Sequence, residues 1–199
     1  MRTSLLAAAA AAAVVMLTGC GKSADKQATN AAAPKNAQVL PITDDHAMVV
    51  ATPATEAMLR SMRAAPLAHD AALQRMHERH EGMERIGKSF KAAGRTLKSA
   101  SPEIAVIRSS AATIARLAAL TPTWFPAGTG PDVGKTGAKP EIWQKPADFV
   151  AKDKALQQAA IAFDAAARSG NMAAVQARFG DLGKTCKACH DSYRSEMHH

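Results

Sequence analysis

The sequence predicts an all-α protein whose folded part is a four-helix bundle. Three observations carry that prediction. Alanine is abundant and β-branched runs are scarce. No stretch alternates apolar and polar residues with a period of two, the mark of a half-buried strand. Four segments instead repeat apolar residues at helical spacing, with one long connection among them.

The N-terminal residues lie outside that bundle. Met1–Arg2 supplies a positive start, Leu5–Met16 is an unbroken apolar stretch, and Leu17-Thr18-Gly19-Cys20 follows. That order is a secretory signal peptide over residues 1–19, and its apolar run is too short to span a bilayer as a mature helix. Leu-Thr-Gly-Cys also resembles the bacterial lipobox, which makes Cys20 a lipidation site and the protein a periplasmic lipoprotein. Gly21 rather than Asp follows Cys20, so the outer membrane is expected over the inner. Residues 20–66 read as a polar tether with few apolar anchors. Within it, Thr55–Ala65 has room for one extra short helix between Pro53 and Pro66.

The bundle is expected over residues 67–199. Its first helix spans about 69–98, with Met76, Met83, Phe90 and Leu97 seven residues apart and Ile86 and Gly87 filling the stripe. The second opens at Ser101-Pro102-Glu103, a cap residue followed by Pro at the first helical position. Ile104, Ile107, Ala111, Ile114 and Ala118 form its apolar face, and Pro122 marks its end. Residues 121–145 read as a loop, long enough to be functional or a crossover. The third helix covers about 146–168, with Phe149, Leu156 and Phe163 at heptad spacing and Gly170 as its stop. The fourth opens at Asn171 and carries Val175, Phe179, Leu182, Cys186, Cys189 and Tyr193 on one stripe, so both cysteines face the bundle interior.

Charge excludes little. There are 25 basic and 17 acidic residues, a net charge of +8. Nucleic acid is not an expected partner, because no basic cluster is interleaved with stacking aromatics. Solvated helix faces account for the excess, and a basic surface also steers acidic redox partners.

Cys186-Lys187-Ala188-Cys189-His190 carries the chemistry. It fits Cys-x-x-Cys-His, the attachment pattern of c-type haem. Two thiols three residues apart on a helix reach the two vinyl groups along one haem edge. The adjacent histidine then meets the iron, for which imidazole is a common proximal ligand. A zinc site would need two further ligands, and no second cysteine pair exists. A thioredoxin-like dithiol would need a strand–helix setting. The third cysteine, Cys20, belongs to the lipobox, so no pair remains for a structural disulfide. One covalent haem c is therefore expected, with Cys186 and Cys189 as attachment points and His190 as metal ligand. Met197, His198 and His199 are read as lying on the same helix, where they cannot reach the opposite haem face.

These features together resemble the cytochrome c′ family. The resemblance covers about residues 70–196. It rests on Arg79-x-x-x-Met83 with Ile86-Gly87 and Phe90, on Trp124-Phe125-Pro126, on Thr136-x-Ala138-x-Pro140-Glu141-Ile142-Trp143, and on Gly183-x-x-Cys186 through Arg194. It implies an antiparallel bundle, often a homodimer, with the haem inside. It further implies that Arg79 lies near a propionate, that Met83 packs over the distal face, that Arg194 stands beside the proximal imidazole, and that Glu141 and Trp143 lie along the haem edge. His80 departs from the family, which often has Gln there. The function implied is electron transfer, binding of small gases such as NO or CO at an open distal site, or both. The alternative is a six-coordinate His/Met electron carrier on the same bundle. No distal acid–base group stands out, so enzyme activity is not expected.

Overall fold

The computed structural model describes residues 52–196. The signal peptide, Cys20 and most of the tether lie outside the described residues, as do Met197, His198 and His199.

Among the described residues, six helices order the chain: α1 (Pro53–Arg63), α2 (His69–Leu97), α3 (Ile104–Ala118), α4 (Glu141–Gln144), α5 (Pro146–Ser169) and α6 (Met172–Tyr193). A 3-10 turn over Thr121–Thr123 and the single turn of α4 interrupt the long connection. The four long helices form the bundle, with α2 on α3, α3 on α5 and α5 on α6 as the close pairs.

Each boundary has a local cause. The Thr52 side chain accepts from the Thr55 amide and Thr55 reciprocates, with Pro53 next in line, so the extra helix starts two residues earlier than expected. It is no mere tether segment, because Met58 and Met62 are buried in the core. The second bundle helix starts later than expected. Its N-cap is Glu103, whose amide is taken by the Thr96 hydroxyl at 2.7 Å, leaving Ser101 and Pro102 in the connection. Gly170 ends α5 at φ +74°, a conformation glycine adopts without strain. Arg108 of α3 donates to the Ala167 and Arg168 carbonyls there, placing a cation at the helix's negative end. Asn171 caps α6 by accepting from the Ala174 amide at 3.1 Å.

The C-terminus of α6 differs from expectation. The helix stops at Tyr193, and the chain turns to pair with the long connection. Lys139 donates its amide to Tyr193 and Ser195 donates its amide to Gly137, with a β-bridge between Ala138 and Arg194. The expected helical placing of Met197, His198 and His199 falls outside the described residues.

Candidate functional site

The α2–α6 seam sets the site. The two helices meet where Phe90 stacks on Phe179, ring centroids 4.2 Å apart and 11° from parallel. Glycines make this approach possible. A Cβ at Gly183 would sit 3.2 Å from the Phe90 ring, and one at Gly94 would sit 3.0 Å from Phe179. These two contacts define an antiparallel register. Continued along the helices, it puts Gly87 level with Cys186 and Met83 level with His190. At Gly87 a Cβ would meet no atom within 4 Å. The seam is thus closed at Phe90 and open beyond it.

Cys186 and Cys189 sit on that open stretch, half-buried and packed against the core, as does Met83. Burial raises the Cys186 thiol pKa and pushes that of Cys189 up to about 12, where the charges of Asp153, Cys186 and Asp148 add to the shift against Lys152. Both thiols are protonated at neutral pH, unlike the thiolates of metal sites and redox dithiols. Among the described residues no group of three or more His, Cys, Asp or Glu could hold a metal ion. His190 is exposed overall, yet partial crowding of its ring and then the Arg194 charge hold its pKa below the usual value, opposed by Asp191. A neutral imidazole is the form that binds a metal.

Arg79 is 4% exposed and organises the long connection. Its Nη1 donates to the Trp124 carbonyl (3.2 Å) and the Thr129 hydroxyl (3.1 Å), and its Nη2 to the Thr129 carbonyl and the Thr136 hydroxyl (both 2.9 Å). The guanidinium also faces the rings of Phe125 at 5.0 Å and Trp143 at 5.9 Å. Every one of these partners is neutral. Burial accordingly lowers the Arg79 pKa to about 10. A buried cation without a counter-charge is expensive, and an anion at its edge would relieve it. The propionates of haem are such anions.

The remaining expected residues lie around this loop. Trp143 donates its indole N–H to the Phe125 and Pro126 carbonyls at 3.2 and 3.1 Å. Glu141 leaves its buried Oε2 without a hydrogen-bond partner. Arg194 caps α6, donating its amide to the His190 carbonyl at 3.0 Å. Three features escaped sequence reasoning. Thr129 and Thr136 hold Arg79. Gly82 lets the Trp124 indole lie against α2, where a Cβ would come within 2.3 Å of the ring. Asp153 is buried on α5 between Thr121 and Gln157.

The sequence profile of the family described as cytochrome c′ matches residues 74–194. The chain belongs to the cytochrome c′ family. Cytochrome c′ from Alcaligenes xylosoxydans xylosoxydans is 38% identical over 94 residues, 47% of this chain and 71% of that protein. Cytochrome c-554 of Cereibacter sphaeroides is 35% identical over 137 residues, 65% of this chain and 88% of that protein. Among solved structures, cytochrome c′ from Shewanella frigidimarina is similar at a TM-score of 0.59 and 33% identity, over 63% of this chain and 97% of that one. A ferrous variant of the cytochrome c′ from Alcaligenes xylosoxidans, with bound NO, is similar at 0.57 and 30% identity, over 63% and 97%. Cytochrome c′ is itself a standard example of the up-and-down four-helix bundle. As a cytochrome c′, the protein binds a single covalent c-type haem. The match begins at residue 74, which leaves α1 outside it.

Proposed function

We propose that this cytochrome c′ carries its haem on thioethers from Cys186 and Cys189, with His190 as the iron ligand, and that it works as an electron carrier and as a binder of NO or CO at an open distal site. The α2–α6 register supports this reading, because it puts Met83 level with His190 where the seam is open. When bound, haem would supply a one-electron couple and a place for a diatomic ligand. Cys186 and Cys189 fix its edge to α6. His190 would ligate the iron, its pKa held below the ordinary value first by burial of the ring and then by the Arg194 charge. Arg79 attracts the propionates and tunes the potential with its charge. Trp143 stands beside Arg79 along the haem edge. Glu141, whose buried Oε2 has no hydrogen-bond partner, stands along the haem edge. Met83 screens the distal face with an apolar side chain that excludes larger ligands.

The second reading rests on the chemistry of the same residue, for a thioether can also ligate iron. Met83 would then complete a low-spin His/Met pair, and gas binding would be lost. Spectra of the ferrous protein decide between the two. A high-spin spectrum that changes on adding CO is expected, and Met83→Leu should leave the spin state unchanged. A low-spin spectrum insensitive to CO, turned high-spin by Met83→Leu, would overturn the open site.

The protein is further proposed to be a periplasmic lipoprotein held by Cys20 at the outer membrane, a homodimer, and a partner of other redox proteins rather than an enzyme. A similar cytochrome c′ shows ligand-controlled dimer dissociation, which supports the dimer. Cys20→Ala should release the protein from the membrane fraction, and unchanged fractionation would count against the anchor.

A further inference from the structure

Outside the haem seam, the most unusual chemistry belongs to Asp153. This carboxyl is 5% exposed on α5. Its hydrogen bonds come from two neutral groups, the Thr121 hydroxyl on Oδ1 and the Gln157 amide on Oδ2, the latter at 2.7 Å. The Thr121 hydroxyl also lies 2.8 Å from the Ala118 carbonyl. One hydroxyl proton thus serves two acceptors. The conflict disappears when the carboxyl is protonated, because Asp153 then donates to Thr121 and Thr121 donates to Ala118.

Two further observations place this acid in a circuit. Phe149 against Tyr193 and Phe163 against Phe179, ring centroids 5.2 and 5.7 Å apart, set an antiparallel α5–α6 register that puts Asp153 level with Cys189, and its charge adds to the rise of the Cys189 pKa. A cavity of about 170 Å³ between α1, the 3-10 turn and α5 includes Asp153 in its wall and opens toward exposed Ile161. The cavity gives solvent a route toward the carboxyl. Thr121 from the 3-10 turn and Gln157 from α5 bond the carboxyl, Thr55 and Met58 from α1 and Lys154 from α5 share the cavity wall with it, and Cys189 on α6 lies level with it. α1 presents no charged side chain to the cavity.

We propose that Asp153 is a redox-linked proton site: it takes up a proton through the α1–α5 cavity when the haem iron gains an electron and releases it on oxidation. The balance is one electron from a one-electron donor to ferric iron and up to one proton from solvent to an Asp153 carboxylate oxygen. Reduction removes one positive charge near the carboxylate, which then holds a proton more firmly. The group is already poised for this, since burial raises its pKa to about 6 against the pull of Thr121 and Gln157. The inference rests on the assignment of Cys189 as a haem anchor.

The test is a spectroelectrochemical titration of the holoprotein from pH 4.5 to 8. In the wild type the midpoint potential should fall with rising pH around pH 6, by at most about 59 mV per unit, the one-electron, one-proton limit. In Asp153→Asn the slope should vanish in that window, while Asp148→Asn, a change of a more exposed carboxylate, should keep it. Infrared difference spectra, reduced minus oxidised, should show a protonated-carboxyl band in the wild type that Asp153→Asn lacks. Thr121→Val, which removes a hydrogen bond to the carboxylate, should move the slope to higher pH and serves if the Asn variant does not fold. A flat wild-type profile, or an unchanged slope in Asp153→Asn, overturns the proposal. Haem staining after denaturing electrophoresis of Cys189→Ala and wild type tests the thioether assignment separately.

Discussion

Arg79 and Asp153 are both ionisable groups buried against their own charge, and the protein treats them in opposite ways. Arg79 keeps its charge, because even a pKa near 10 leaves a guanidinium protonated at neutral pH. The fold compensates with four hydrogen bonds to neutral oxygens and two aromatic faces. Asp153 receives two neutral donors, and its pKa of about 6 lets it lose its charge close to neutrality. The difference teaches where a counter-charge belongs. A cation that cannot be neutralised by titration is a standing demand for an anion, whereas the acid responds to whatever charge comes near it.

The most severe way to break the comparison is Arg79→Met. It leaves the carbonyls of Trp124 and Thr129 and two threonine hydroxyls without their donor, at a cost of about 3–5 kcal/mol. Thermal unfolding of the holoprotein measures that loss, with faster proteolysis of the 124–136 connection. Asp153→Asn tests the other half and should act in the opposite direction. The folded pKa of Asp153 lies above the ordinary 3.8, so the native state binds the proton more tightly than the unfolded one. Its contribution to stability is therefore complete below pH 4 and is lost as pH rises through about 6. The Asn variant escapes that loss. It should become more stable than the wild type above pH 6 by roughly 1–3 kcal/mol, and no advantage should remain near pH 4. Gly82→Ala sharpens the first half, for it pushes the Trp124 indole off α2 while leaving Arg79 in place. Overpacking there should cost about 1–2 kcal/mol by denaturant midpoint. The smallest effect belongs to Lys187→Ala. Its exposed pair with Asp191 sits inside the haem motif but should contribute less than about 0.5 kcal/mol by the same measurement.

Sequence spacing is enough to locate α2, α5 and α6 closely, because each carries an apolar stripe and a readable stop or cap. The start of α3 is not legible in this way. Ser101-Pro102 has the form of a helix start, but the Thr96 hydroxyl claims the Glu103 amide and moves the boundary. The cysteines, their histidine and Met83 are visible as motif and register. What Arg79 does is not, since its partners lie 45 to 57 residues away in a loop with no periodicity. Asp153 does leave a trace. It stands four residues after Phe149 and three before Leu156, a polar residue on an apolar stripe, and only the packing of α1 and the 3-10 turn explains how it is kept there.

The Phe90–Phe179 stack gives the bundle a mechanical character. α2 is fastened to α6 near one end of the seam and to α3 along its length, while Cys186 and His190 lie beyond the fastening. The α2–α6 pair resembles a peg with its spring at Phe90. A group attached to one jaw and touching the other sets the angle between them. A haem held on α6 and touching Met83 would bear on α2, and through the Arg79 hydrogen bonds on the connection between α3 and α5.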